Sequence, residues 1–424
     1  MLRVDSGRDA KVQAHPSNAI VFGDVRIIDL DARTYRDGID VVVESGQIRE
    51  VADHPVSLGS ARRIDCAGRV MLPGLIDAHV HVITVGSDLV GLSTRSPYLV
   101  AAHAARTLAD MLHRGFTSVR DAGGADGGLR VALVEGLIEG PRLFPSGLAL
   151  AQPGGQGDFR RPGEAAIGCP VCRGRRSLTR VVEGPDACRH AVTEEIREGA
   201  TQIKIMASGG IASGIPIDRV HFSNDELAAI VEETRRAGTY VLAHAYENIA
   251  IRRCLAVGVR SIEHASFVDS ATATAIATVG AFVVPTLVVF DHLSRTGKAK
   301  GRTAQQIAYF EELKRESLAS LERLVHAGVD IGHGSDLDGD SQHEQGREFG
   351  LKSGVMPAAE VIRCATETNA RLIGRSADLG RIAEGYRSDL IVVDGDPLSD
   401  VSMLGDHAKV RLVMVGDRIF RNEL

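Results

Sequence analysis

Between residues 72 and 375 short apolar stretches alternate with amphipathic ones eight times, and this alternation restricts the fold more than any other feature of the 424-residue chain. The apolar stretches read as strands over Leu72–Val82, Phe116–Asp121, Arg142–Leu150, Gln202–Ser208, Tyr240–Tyr246, Ser261–Ala265, Phe282–Val289 and Val329–Ser335. Helices fit between them over Leu99–His113, Leu129–Ile138, Ala187–Arg197, Asn224–Ala237, Asn248–Ala256, Ala271–Thr278 and Ala304–His326. Ser223-Asn224-Asp225-Glu226 is a capping-box start, in which a hydroxyl and a carboxylate satisfy backbone N–H groups that a helix leaves without partners. Several helices end at glycine, which tolerates the left-handed turn back into a strand. Strands that are each followed by a helix pair in parallel, and eight such units over roughly 300 residues make a (β/α)8 TIM barrel.

The flanking segments have a different texture. Residues 19–71 and 376–424 are short strands separated by turn signals such as Asp37-Gly38 and Ser45-Gly46. Neither segment alone is long enough to bury a two-layer core, so the two are expected to meet in a small discontinuous β-sandwich. The division is therefore 1–18 as a disordered arm, 19–71 and 376–424 as the two parts of the sandwich, and 72–375 as the barrel. The 46 glycines exceed ordinary usage of ~7% and map onto the repeated tight turns. With 49 Lys+Arg against 55 Asp+Glu the net charge is −6, which leaves no basic footprint for nucleic acid. The longest apolar run, Ala281–Phe290, contains Pro285 and Thr286, reads as a buried strand, and is far short of the ~18 residues of a membrane span. Residues 1–18 carry no apolar leader core, and six cysteines are too sparse for a disulfide scaffold. The expectation is a cytoplasmic protein acting on a small molecule, without nucleic-acid or membrane partners.

A barrel of this type carries its chemistry at the C-terminal ends of its strands. The first strand ends in His79-Val80-His81, the fifth in His244-Ala245-Tyr246, the sixth in Glu263-His264 and the eighth in His333-Gly334-Ser335-Asp336, while the fourth carries Lys204. Residues i and i+2 of a strand share a face, so His79 and His81 point into the same mouth. Four imidazoles and a carboxylate converging on one rim are a metal site by ligand type. An ammonium buried beside cations is disfavoured, so the Lys204 pKa is expected to fall; a neutral amine can take up carbon dioxide as a carbamate, an anionic ligand able to bridge two metals. No phosphate-binding loop and no Gly-x-Ser-x-Gly elbow is present, which leaves a metal-activated hydroxide as nucleophile.

The stretches LPGLIDAHVHV, TSVRDAGG, ATQIKIMASGG, AHAY, IEHAS and HGSD, with the terminal GRIAEGYRSDLIVVDGDPL, resemble the amidohydrolase superfamily of metal-dependent hydrolases. More narrowly, the chain is similar over residues 19–424 to the prolidase-like dipeptidases and N-acyl-amino-acid hydrolases, a branch that includes ochratoxin-hydrolysing amidases. The resemblance implies two divalent ions, zinc foremost: His79, His81 and Asp336 on one, His244 and His264 on the other, and carboxylated Lys204 between them. It implies hydrolysis of dipeptides or N-acyl L-amino acids by a hydroxide bridging the ions, with Asp336 moving the proton to the leaving amine. Tyr246 is placed to stabilise the oxyanion or grip the substrate, and homo-oligomers are common in the family.

Further substrate-binding candidates are Arg120, Gln156 and His221. Arg120 offers a fork for a carboxylate, with a structural ion pair as the alternative. Gln156 stands where relatives often have His, and His221 lies where this branch has substrate-lining residues or is simply exposed. Cys169, Cys172, Cys188 and His190 suggest a second zinc site, but the spacing is irregular and the segment reads as a loop with free thiols. The competing activity is hydrolysis of a cyclic amide such as an imidazolone, or of a carbamate or lactone, on the same metal set. Single-metal deaminases of the superfamily lack the bridging lysine, so Lys204 argues against that reaction.

Overall fold

Both ends of the chain enter one sheet. A computed structural model describes residues 19–59, 61–160, 177–211 and 214–424. Its largest sheet has eight strands, ordered Arg418–Asn422, Val410–Val415, Leu390–Val393, Val70–Pro73, Ile20–Asp29, Thr34–Glu44 and Gln47–Ala52, with Arg62–Asp65 also on Ile20–Asp29. Strands of both terminal segments are thus hydrogen-bonded in one sheet. Alternate residues of its central strands serve different cores. Met71, Leu390, Val392, Leu412 and Met414 pack with Phe22, Val41 and Ile48, whereas Val70, Leu72, Ile391, Val393 and Val413 join the main core. Burial on both faces explains why these strands read as unbroken apolar runs.

The remaining strands are parallel. Leu75–Val80, Phe116–Asp121 and Arg142–Phe144 form one sheet; Thr179–Val181, Ala149–Ala151, Ile203–Met206, Val241–Glu247, Ser261–Phe267, Phe282–Val284 and Asp330–Ile331 form the other. Helices such as Pro97–His113, Asn224–Arg236 and Ala304–His326 lie between strands in sequence, and the Ser223 capping box is made as the sequence predicts. Backbone bonds join the eighth segment to the first: Ala78 N–H donates to His333 O at 2.8 Å and Asp336 N–H to His79 O at 2.8 Å.

Several expectations need correction: Leu72–Val82 is divided between strands Val70–Pro73 and Leu75–Val80, and Val329–Ser335 is a strand only over Asp330–Ile331. The run Phe282–Val289 is not one strand: it is a strand over Phe282–Val284, a turn at Pro285-Thr286, and a helix over Leu287–Thr296. Thr286 adopts φ 49°, in the left-handed region, and the apolar run continues only because the first turn of the helix is also buried. Arg142–Leu150 is split into two strands by Pro145-Ser146-Gly147, with Gly147 at φ 66°. A hairpin of Ser208–Gly210 with Ile215–Val220, and helices Arg347–Ser353 and Ala358–Arg363, were not anticipated. The expected arm over residues 1–18, and Cys169 and Cys172, lie outside the described residues. Among those described, no helix is long and apolar enough to cross a membrane.

Candidate metal centre

Strand Leu75–Val80 delivers His79, and His81 follows its last residue. The Nε2 atoms of both rings lie 3.2 Å from Asp336 Oδ1. Among the described residues, His79, His81 and Asp336 have ligand atoms all within 4.8 Å of one another, a spacing and chemistry that fit a divalent ion. Asp77 locks the two segments that carry them. Its Oδ1 accepts the His79 N–H at 2.9 Å and the Ser335 N–H at 3.2 Å; its Oδ2 accepts Ser335 Oγ at 2.7 Å and Gln345 Nε2 at 2.8 Å. Burial nonetheless pushes the Asp77 carboxyl up, above its ordinary range.

The other histidines stand beside this cluster. His264 Nδ1 is 3.8 Å from Asp336 Oδ2 and 2.8 Å from Thr286 Oγ1, and its ring centroid lies 5.3 Å from that of His79. His244 lies 4.6 Å from His264, centroid to centroid. Oxygen acceptors behind the rings can hold the ring protons on that side, which leaves the nitrogens facing Asp336 for a metal ion. His81 Nδ1 faces Gly123 O at 3.2 Å and His79 Nδ1 faces Glu263 Oε2 at 2.6 Å, leaving Nε2 of each toward Asp336. His244 is tied through the opposite atom, Nε2 to Gly209 O at 3.0 Å, which leaves Nδ1. Burial, then the charge of Lys204, pushes His244 down to about 3; burial, then His244, holds His264 well below its ordinary value. Neutral imidazole is the form that binds metals. Burial alone would raise Asp336, but His79, His81 and His264 outweigh it and keep the carboxylate ionised.

Lys204 is buried in strand Ile203–Met206, in register with Leu242. Burial pushes its ammonium down to about 8, against the opposing pull of Glu263 and Asp336. That leaves a fraction of neutral amine near neutral pH, the state the sequence argument requires. Tyr246 stacks on His264 at 5.0 Å and meets His244 edge-on at 4.9 Å; burial raises its hydroxyl pKa well above 10, so it stays protonated.

The weaker candidates separate. Arg120 is fully buried, its Nη2 on Glu263 and its Nε donating to Ala78 O at 2.5 Å, so the ion-pair alternative fits its position and contact with a substrate does not. Gln156 is buried and lies across Gly210 from His244: a Cβ on Gly210 would fall 2.8 Å from both Gln156 Cδ and His244 Nε2. His221 is buried rather than exposed and lies against Gly155, whose added Cβ would come 2.8 Å from its Cε1. His333 is a core residue between Phe116 and Phe349, at centroid distances of 5.8 and 4.3 Å. Cys188 is a free, buried thiol pushed up to about 12 by burial, and His190 is exposed beside Glu194 at 3.5 Å.

Glu263 is the participant that sequence reasoning left without a role. Strand alternation puts consecutive residues on opposite faces, but His264 has φ 74° and Ala265 φ 49°, which breaks that rule and lets Glu263 and His264 serve one centre. The available signal was Arg120 and Glu263, opposite charges within two apolar strands that must pair if buried.

The model of the amidohydrolase family matches residues 70–420. The ochratoxinase of Aspergillus niger is 31% identical over 369 residues, which cover 83% of this chain and 76% of that protein. A prolidase solved in complex with N-methylphosphonate-L-proline superposes with a TM-score of 0.91 at 43% identity, over 95% of this chain and 100% of that one. A Xaa-Pro dipeptidase with bound methionine superposes with a TM-score of 0.84 at 25% identity, again over 95% and 100%.

Proposed function

The chain belongs to the amidohydrolase family, and on that premise we propose that it hydrolyses the amide bond of dipeptides or N-acyl L-amino acids in a metal-dependent reaction. The observation that carries this reading is the convergence of His79, His81 and Asp336 within 4.8 Å, beside His264 and His244, with a buried lysine whose charge is felt by both. The substrate class rests on the relatives, among them an ochratoxinase, a prolidase and a Xaa-Pro dipeptidase. His79, His81 and Asp336 would hold one divalent ion and His244 and His264 a second, with Lys204 carboxylated on Nζ as the ligand between them. When bound, such ions acidify a water molecule and polarise a carbonyl oxygen, and zinc suits this donor set.

Asp336 is the proton carrier in this reading: its carboxylate is ionised, and at 20% exposure its side chain reaches the open side of the cluster. It accepts a proton on one oxygen and returns it to the leaving nitrogen. Tyr246 keeps its phenolic proton and donates a hydrogen bond to the carbonyl oxygen as negative charge develops there. Gln156 and His221 belong to segments that would line the substrate's path. The parallel sheets are read as parts of one (β/α)8 barrel over residues 72–375, a reading that the bonds between 78–79 and 333–336 support, with residues 19–71 and 376–424 as the small β domain.

A panel of dipeptides and N-acyl L-amino acids, supplied with zinc and bicarbonate and assayed by amine release, tests the substrate class. At least one L-amino-acid amide is expected to turn over. If all are inert while a cyclic amide, carbamate or lactone is opened, the proposal is wrong.

A further inference from the structure

We propose that Glu263, clamped by Arg120, is a positioning residue that fixes the tautomer of His79; this rests on the metal-binding reading above. Glu263 is fully buried, and both of its oxygens meet hydrogen-bond donors. Arg120 Nη2 lies 2.9 and 3.0 Å from Oε1 and Oε2, Ser261 Oγ donates to Oε1 at 2.5 Å, and Oε2 receives His79 Nδ1–H at 2.6 Å. The same guanidinium donates through Nε to Ala78 O, the carbonyl preceding His79, so Arg120 grips the strand and the carboxylate at once.

Three consequences follow from this geometry. The ring meets a carboxylate at each nitrogen, but Glu263 Oε2 is at 2.6 Å from Nδ1 and Asp336 Oδ1 at 3.2 Å from Nε2, so Glu263 holds the ring proton on Nδ1 and leaves the Nε2 lone pair toward the metal site. A guanidinium has donors and no acceptor, so Arg120 leaves Glu263 no partner arrangement in which it donates to the ring. Glu263 fixes the imidazole at Nδ1, while Arg120 fixes the strand that carries it through the Ala78 carbonyl. A buried Arg–Glu pair is weak evidence of stabilisation in itself, because apolar side chains of similar volume often do as well. Orientation of a ligand histidine is a task that apolar replacements do not perform, and carboxylate partners of metal-ligating histidines contribute about 10–100-fold to metal affinity or activity.

The test compares wild type with Glu263→Gln and with the charge-neutral double variant Arg120→Met, Glu263→Gln. Zinc affinity is read by chelator competition, and the cobalt-loaded proteins by their ligand-field absorption. Zinc affinity is expected to fall about 10–100-fold in both variants, with altered cobalt bands, while the double variant keeps the thermal midpoint of wild type. A folded double variant that binds zinc within about twofold of wild type, with unchanged cobalt bands, overturns the proposal. Independently of whether either variant folds, the ring 15N shifts of His79 in metal-free wild type must report Nδ1–H; an Nε2–H tautomer overturns it too. Wild type that binds no zinc at all sinks the metal reading as well, whereas zinc binding that is indifferent to the variants removes this inference alone.

Discussion

A lysine buried among histidines and carboxylates persists only if its charge is balanced or given up, and at Lys204 burial outweighs the attraction of Glu263 and Asp336. If its neutral amine is carboxylated to hold two ions together, Lys204→Ala lowers the metal content from two ions per chain to one or none. Hydrolysis should then fall at least ~100-fold, beyond the loss typical of a residue that only supports a ligand; elemental analysis beside the amine-release assay checks both. Tyr246→Phe removes a hydroxyl that burial keeps protonated. If that hydroxyl meets the developing oxyanion, kcat drops ~100-fold with KM nearly unchanged. A rise in KM alone would assign Tyr246 to substrate binding instead. The cluster of His79, His81 and Asp336 was legible because imidazoles and a carboxylate at strand ends are rare and the two-residue period of a strand fixes their side. Glu263 was not, because its role depends on the left-handed His264, a backbone state that residue type does not announce.

At the scale of elements, the first and eighth segments approach so closely that Gly334 has no room for a side chain. An added Cβ would fall 2.4 Å from Val284 Cγ1 and 2.8 Å from His79 Cβ. Gly334→Ala should therefore cost about 1–3 kcal/mol of stability, measured by denaturant unfolding, through displacement of the strand that carries His79. Helix Arg347–Ser353 brings a second constraint, since Glu348 is fully buried, accepts the Val288 N–H at 2.8 Å and lies 3.7 Å from Lys352 Nζ. Burial raises its carboxyl from 4.5 to about 7. The folded protein then binds the extra proton between those values, so this contribution to stability is complete below about 4.5 and lost as pH rises through 7. Glu348→Gln should remove that slope, and a difference in thermal midpoint between wild type and variant that stays constant from pH 4.5 to 8 would contradict it. Sequence periodicity did not find this helix or the one after Thr286. Short apolar runs look alike in a buried strand and a buried helix, and residues 282–290 contain one of each.

Across the whole molecule, the two chain ends are tied to the parallel-stranded part by more than apolar packing. Arg142, on a parallel strand, donates from Nε and Nη2 to the two Asp389 oxygens at 2.6 and 2.9 Å, and Gly416 N–H bonds the same carboxylate at 2.9 Å. The joining of the ends was legible, because two strand-rich segments too short for separate cores have to share one. The single eight-stranded sheet was not, because strand order depends on register, and unbroken apolar strands do not declare which face meets which core. In the proposed function, the converging histidines, Asp336 and Lys204 hold metal ions, and amide hydrolysis requires them. The most direct test strips the protein with a chelator and restores zinc in steps with bicarbonate present, while following the hydrolysis of an L-amino-acid amide. The account predicts that activity vanishes on stripping and returns in proportion to zinc, saturating at two ions per chain; full hydrolysis by the metal-free protein would contradict it.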